Sequence, residues 1–559
     1  MLVISIKNME QRLLLAIILS IAFLFGWQNF FPQEVPEEAK EKQFLDLEED
    51  NKTQVMQNQS LEEDFLEGKR IKIENNYLKG SINLLGASID NLLLKKYKED
   101  SSDKKVELLA PNYSSEPNFI KIRWFSKNKE IELPDNRTLW EGEKNGDKII
   151  LSWLSNQGLL FKIELSLDDK YLFKVDTKVD FSGAPALIEK NIKIRGQIIF
   201  ERTRRATITD NMILHEGAIA LVNGKLKEIN FKDIDSENYK NSKGERLEWI
   251  GFSDKYWLVS VINKKEGALG QFTSSFSDEW QENKYKMNFL LPSRQIDNVI
   301  EESFLIFAGA KSIEILDFYS QSLGITNFDK AVDLGFLYFI TKPIFLLLNY
   351  FYKVLGNFGL AILLLTIITK VLLFPLAYKS VRSMNKIKEI QPKINKLKEQ
   401  YANNAQLFQQ SLLSLYKKEK VNPASGCLPI ILQMPIFFAL YKVLFVTLEM
   451  RQAPFYGWIQ DLSAPDTTSL FNLFGLISWS PPQFLMIGVL PIAMSFTMFL
   501  QQRLQPAPSD PTQAMVMKLL PLFLLFMFSQ FPSGLLIYWT WSNLLSLVQQ
   551  WIIKYLPES

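Results

Sequence analysis

The sequence predicts a polytopic α-helical membrane protein of six spans that carries one large all-β domain outside the bilayer. Three observations predict it. The 559-residue chain has a net charge of only +2, yet the charges divide into 2 basic and 1 acidic residue in 1–31, 43 and 52 in 32–335, and 18 and 8 in 336–559. From Cys427 onward 133 residues hold ten charged side chains, too few to cover a soluble domain of that size. Between the first apolar run and the next, roughly 260 residues alternate apolar and polar with period two, the signature of half-buried strands.

The first element is the apolar run at 13–27, preceded by Lys7 and Arg12 and followed by Glu34, Glu37 and Glu38. The positive-inside rule places its N-terminal side in the cytoplasm. A cleaved signal peptide is the competing reading. The flank "GWQNFFPQEV" lacks the small-x-small pattern of a cleavage site and extends the apolar run with Phe30 and Phe31, which favours an uncleaved anchor. Residues 32–69 hold twelve acids and four lysines with little apolar periodicity and read as a solvated linker. From 70 to 329 come short alternating runs such as "RIKIENNYLKG", "NFIKIRW", "LLFKIELSL", "YLFKVDTKVDF" and "NIKIRGQIIFE", bounded by turn residues. They predict antiparallel strands of a large sandwich, big enough to bury a core without disulfides.

The block 336–378 is too long for one span and is interrupted by Lys342, Pro343, Asn349 and Lys353. It reads as an aromatic-rich interfacial helix at 336–355 and a span at 356–378, where ~23 residues suffice for a ~30 Å hydrocarbon core. Further spans are expected at 428–449, 484–503, 515–531 and 535–553. The segment 379–421 between the second and third spans carries ten Lys/Arg against three acids, which makes it cytoplasmic. Ile387, Ile390, Ile394, Leu397 and Tyr401, then Phe408, Leu412 and Leu415, form two apolar stripes at helical spacing around "YANNAQ". They predict a basic helical hairpin in which Pro392 either kinks the first helix or marks its start. Its charge can set topology, attract anionic lipid headgroups or dock an anionic partner such as ribosomal RNA. The path then ends with a cytoplasmic C-terminus after a tight outer turn, "FPSG".

One cysteine, Cys427, and one histidine, His215, exclude an intramolecular disulfide and argue against structural zinc and two-histidine metal chemistry. His215 reads as a surface or strand residue. The main functional candidate is Lys370 in "LAILLLTIITKVLLFPLAY", ~12 Å inside the cytoplasmic end of its span. A lysine snorkels only part of that distance, and no Asp or Glu lies in the interior of any span to pair with it, so a hydrated recess is expected. Lys442 lies near the outer end beside Glu449, where snorkelling is the default. Gln433, Ser495, Thr497, Ser546 and Asn543 fall at comparable depth on other spans, and Thr366 lies one turn from Lys370. Singly each reads as interhelical glue or as a hydroxyl bonded to its own helix; together they suggest a cavity open to the cytoplasm. With no intramembrane Asp, Glu or His and no Gly-rich phosphate loop, neither a proton relay nor an ATP site is evident, and no cofactor, metal or small-molecule substrate is expected.

Four motifs in order, "GNFGLAILLLTIITKVLLFPL", "VNPASGCLPIILQMPIFFALY", "RQAPFYGWIQDLS" and "FPSGLLIYWTWSNLLSLVQQ", resemble the YidC membrane protein insertases of Gram-negative bacteria. The resemblance implies a non-enzymatic insertase and folding chaperone of the inner membrane, acting alone or beside the Sec translocon on ribosome-delivered nascent membrane proteins. It implies a five-helix core around a hydrophilic groove and a periplasmic β-supersandwich at 70–329. It also implies a groove charge at Lys370, a nearby hydroxyl at Thr366 and substrate-contacting aromatics at Tyr538 and Trp539. Relatives usually carry Arg where this chain has Lys370 and a second Tyr where it has Trp539. The charge is kept and the planar fork is lost, which puts a bidentate contact in doubt but not charge attraction. Six residues follow Ile553, so ribosome contact through a long basic C-terminus, as in the mitochondrial relative, is not expected; the hairpin at 379–421 is the available surface.

Two other classes fit less well. A transporter or channel would need two-sided access, and no inverted repeat and little polar lining at the outer level are present apart from Ser529 and Gln530. A sugar-processing sandwich would have to work with His215 alone.

Overall fold

The computed structural model describes residues 69–556 apart from 100–101, 191, 204–213, 242–243, 264–266, 278–281, 402–403, 423–427, 480–485 and 506–510. The expected anchor at 1–31, the acidic linker except Lys69, and Cys427 lie outside them.

The alternating runs form two antiparallel sheets. One carries Arg70–Glu74, Leu78–Asn83, Ser88–Lys98, Asn118–Ser126, Lys193–Thr203, Glu282–Leu290, Leu269–Ser277 and Tyr239–Lys240 in that spatial order. The other runs Lys225–Asn230, Gly217–Val222, Leu247–Ser253, Trp257–Ile262, Val299–Ala310, Leu172–Asp180, Leu160–Leu167, Lys148–Leu154 and Glu141–Asn145. Period two decides what faces inward: Ile198 and Phe200 of one central strand are buried, opposite Ile122 and Ile120 in register on the neighbouring strand. Aromatic rings bridge the sheets, Phe200 with Phe252 at 5.5 Å, Trp124 with Phe161 at 5.1 Å and Phe252 with Phe272 at 5.2 Å. Gly309 is glycine because a Cβ there would sit 2.3 Å from the Tyr171 ring.

At the foot of the sandwich Lys311 is fully buried and donates to Ser253 Oγ at 2.7 Å. Burial pushes its ammonium from the ordinary 10.5 down to about 8, although Asp254, Glu216, Asp333 and Glu228 pull the other way. Below pH 8 the lysine is charged in the folded and unfolded states alike and its burial costs stability. Above 8 the folded state sheds the proton first, so stability rises with pH. The rise ends near 10, because the buried phenols of Tyr171 and Tyr319 are held above their ordinary 10.0 and the unfolded chain then ionises first. Thermal unfolding of the β domain is therefore expected to shift upward between pH 8 and 10, and Lys311→Met is expected to flatten that rise. His215 is neither on a strand nor at the open surface: it lies just before Gly217–Val222, its Nε2 3.0 Å from Ala218 O and its backbone N–H on Asp333. Burial lowers its imidazole pKa.

Beyond the last strand come α1 (Ile313–Leu323), α2 (Tyr338–Leu355), α3 (Phe358–Leu372), α4 (Phe374–Gln400), α5 (Ala405–Lys418), α6 (Leu428–Val446), α7 (Val489–Arg503), α8 (Pro511–Met527) and α9 (Ser533–Tyr555). α2 buries Thr341, Phe345, Leu348 and Phe351 and leaves Phe339, Leu346, Tyr350 and Val354 exposed, an apolar stripe on each side. Lys342 ties it to Asp317 at 2.9 Å and Asp329 at 2.7 Å.

Among the described residues no single helix is both long and apolar enough to cross a membrane; α3 and α4 pass that test together but bend by 65°. The stretch 356–378 is therefore not one straight element. The bend falls at Leu373, before Pro375, whose missing N–H and preference at the start of a helix favour a new helix there. α4 continues through Pro392, which thus does not mark its start. Ile387, Ile390 and Ile394 of α4 pack with Val421, Phe408, Leu412, Leu415 and Tyr416, as the apolar stripes require.

The sequence motifs meet in pairs at the end of the bundle nearest the sandwich. In "GNFG", Gly356 ends α2 in a left-handed conformation and Asn357 caps α3 by accepting from Leu360 N–H at 3.1 Å. A Cβ at Gly359 would lie 2.0 Å from Phe455 of "RQAPFYGW". In "FPSG", Ser533 N–H donates to Ala464 O at 2.8 Å and Gly534 N–H to Leu462 O at 2.9 Å, which stitches the start of α9 to "DLSAP".

Candidate functional site

α3, α4, α6, α7, α8 and α9 enclose a groove of about 380 Å³. Lys370 enters it from the last turn of α3, where a cation also complements the helix dipole. Its ammonium donates to Ser546 Oγ at 2.8 Å and Gln433 Oε1 at 3.3 Å. Ser546 passes its own proton to Ser542 O at 2.9 Å, while Gln433 Nε2 donates to Ser542 Oγ at 2.6 Å and Tyr538 OH at 3.4 Å. Both groups that receive the ammonium are neutral, and among the described residues no ion pair involves Lys370. Gln549 Nε2 donates to Lys370 O at 3.0 Å and ties α9 to the end of α3.

Of the residues singled out in the sequence, Lys370, Thr366, Gln433, Tyr538, Trp539 and Asn543 line this groove. Thr366 spends its proton on Ile362 O at 2.7 Å, so it can only accept from a groove occupant. Asn543 bonds across to Thr497 at 3.2 Å. Ser495 is not brought to the groove: its hydroxyl donates to Pro521 O at 2.7 Å and joins α7 to α8. The central partner of the lysine, Ser546, was one polar group among several at that depth. The signal that singles it out is the stripe Tyr538, Ser542, Ser546 and Gln549, one polar face at helical spacing.

The rest of the wall mixes uncharged polar groups, Gln501, Gln502, Gln505 and Gln550 among them, with soft apolar ones. Met384, Met434, Met498 and Met517 reach it from four different helices, and flexible thioethers adapt to varied shapes. Beyond Trp539 the bundle is filled by rings: Trp539 lies 4.8 Å from both Phe437 and Phe528, Phe528 lies 4.6 Å from Phe531, and Phe531 lies 5.5 Å from Tyr441. Lys442 lies further along α6. It pairs with Asp333 Oδ2 at 2.8 Å, while Glu449 accepts from Ser312 at 2.9 Å.

Residues 350–558 match the family described as 60Kd inner membrane protein, and 70–347 match the YidC periplasmic domain. The chain belongs to the YidC family. A Rickettsia bellii relative described as Membrane protein insertase YidC is 42% identical over 99% of this chain and 100% of its own length. One from Rickettsia massiliae with the same description is 43% identical over 98% and 99%. A solved structure, "Active YidC insertase crystal structure with the first transmembrane domain resolved", covers 88% of this chain and 93% of its own at 16% identity and a TM-score of 0.36, a likeness too loose to add to these matches. YidC proteins are insertases and not enzymes, and the two-sheet sandwich described above is the periplasmic domain of the family.

Proposed function

We propose that this chain inserts nascent membrane proteins into the bacterial inner membrane through the Lys370 groove, alone or beside the Sec translocon, and assists their folding. The observation that carries the reading is an ammonium held between helices by neutral oxygens only, in a cavity whose other described lining residues are uncharged, methionine, leucine and aromatic side chains beside glutamine, threonine and asparagine. Such a cation is costly to bury and strongly attracts an incoming carboxylate. The translocating tail of a substrate, acidic or polar, occupies the groove and crosses a shortened apolar barrier. Its hydrophobic segment meanwhile slides into lipid along α6 and α8. Hydrophobic burial supplies the free energy, and the membrane potential favours outward movement of negative charge.

In this reading α3, α6, α7, α8 and α9 span the membrane and the N-terminal anchor is a sixth span. Both termini and the α4–α5 hairpin face the cytoplasm, and α2 lies in the outer interface. A groove open to the cytoplasm would have Met384 and Gln505 at its mouth, with the rings around Trp539 toward its outer end; both are among or beside its lining. The basic hairpin offers a surface for the ribosome.

Photocrosslinkers at 370, 433 and 539 are expected to capture a stalled nascent membrane protein. Capture only from the outer ends of the spans would reject a groove open to the cytoplasm.

A further inference from the structure

Between α6 and α7 lies a surface that the groove does not use. From Thr467 to Gln502 the sequence contains no charged residue, 36 positions in a row. Within that stretch Leu470, Phe471, Leu473, Phe474, Ile477 and Trp479 are exposed, and Leu476 is 87% exposed. Leu473 and Phe474 hold φ of 49° and 59°, a left-handed conformation that bulky side chains rarely adopt.

The loop nevertheless meets the demands of an apolar medium. Several of its backbone donors are paired within the chain, Leu470 N–H to Ile487 O at 2.9 Å, Phe474 N–H to Ser469 O at 2.8 Å and Ile477 N–H to Asn472 O at 3.1 Å. Its base is fixed by the buried Asp466, which accepts from Trp458 Nε1 at 3.1 Å, from Thr468 N–H at 3.0 Å and from Leu490 N–H at 2.8 Å at the start of α7. Gly488 leaves room for that carboxylate, since a Cβ there would lie 2.4 Å from it. The loop is therefore a built projection continuous with the head of α7.

α7 itself is short. Its 15 residues rise about 22 Å, against a hydrocarbon core of about 30 Å. The charge-free loop folds directly onto the deficient end, with Trp479 in the loop and Trp458 at its base, ring types that favour the headgroup boundary.

We infer that residues 470–479 are a lipid-seated collar: they sink into the acyl and headgroup boundary of the outer leaflet and complete the apolar thickness that α7 lacks. The occupant of this surface is phospholipid, because the surface continues the apolar flank of a span, carries no charge for a polar partner and pairs the backbone donors of Leu470, Phe474 and Ile477 within the chain. The inference rests on the reading of α7 as a membrane span.

The test uses the full chain with Cys427→Ala, reconstituted in phosphatidylcholine and phosphatidylglycerol vesicles. An environment-sensitive fluorophore is placed on Leu476→Cys, on the outward-facing Phe496→Cys of α7, and on Glu143→Cys in the sandwich as a water-exposed reference. The label at 476 is expected to be quenched by lipids spin-labelled near the headgroup and shielded from aqueous iodide, with the label at 496 quenched by deeper spin labels. Iodide quenching at 476 equal to that at 143 would overturn the collar. Shielding from both quenchers would assign the surface to a protein partner or second copy and overturn it as well. Loss of lipid quenching at 496 would reject α7 as a span, and the collar with it.

Discussion

Lys370→Glu is expected to reduce insertion of substrates with acidic translocated tails by at least about tenfold, whereas Lys370→Arg retains most of it. An ammonium and a carboxylate about 5 Å apart interact by roughly 3 kcal/mol at an effective dielectric near 20. Reversing one sign turns that attraction into repulsion, and about 1.4 kcal/mol already corresponds to tenfold. Gln433 and Ser546 are neutral, so nothing beside position 370 offsets the reversal. Arg keeps the charge and can still donate to both oxygens. Ser546→Ala removes one hydrogen bond to the cation but leaves the charge, so its effect should be smaller and should fall on neutral-tailed and acidic-tailed substrates more evenly. Protease protection of a radiolabelled substrate in vesicles containing each variant measures all three. Normal insertion of acidic tails by Lys370→Glu would sink the electrostatic role of the groove.

How much of this site was legible in the sequence depended on whether one helix sufficed to see it. Lys370 stands out because a cation in a long apolar run is expensive wherever the neighbouring helices lie. Thr366 and Gln433 followed from counting rise along an axis. Counting rise does not fix rotation, however: Ser495 and Ser546 have similar depth, and packing turned one toward Pro521 and the other toward the lysine. Strands were legible for the same local reason, since alternation needs only one segment, whereas the order of the strands in two sheets depends on pairings far apart in the chain. The bend at Leu373 had a visible cause in Pro375, but whether a proline bends a span or starts a new helix is decided by what surrounds it. Lys442 reads as snorkelling because it lies near the outer end of its span, beside Glu449. Its partner, Asp333, lies 109 residues away on the strand-to-helix connection, where no local pattern could find it.

That pair is expected to hold the sandwich in one orientation on the helical core, and Asp333→Asn to release it. Lys442 and Asp333 are mostly buried, 18% and 16% exposed at their side chains. Gly335, at φ of 74°, keeps the backbone clear of the lysine stem: a Cβ there would lie 3.1 Å from Lys442 Cε. Asp333 also accepts from His215 N–H at 3.1 Å, so one carboxylate joins the first sheet-forming segment after 213 to α6. Other ties run beside it: Lys342 of α2 to Asp317 and Asp329, Ser312 to Glu449 at 2.9 Å, the Arg451 guanidinium to Lys98 O at 2.5 Å and against Tyr256 and Trp257 at 5.6 Å, and Lys255 over Phe445 at 4.0 Å. Removing the carboxylate charge strands a mostly buried ammonium, a change that typically costs about 3 to 5 kcal/mol. Spin labels at Glu143→Cys and Tyr456→Cys in the Cys427→Ala chain should give a narrow distance distribution in the parent and a broad one in Asp333→Asn. Adding Lys442→Met should narrow it again, since the stranded charge is gone and a thioether fills the same space. A parent distribution already broad, or an Asp333→Asn distribution as narrow as the parent's, would mean that the sandwich is positioned by something other than this ion pair.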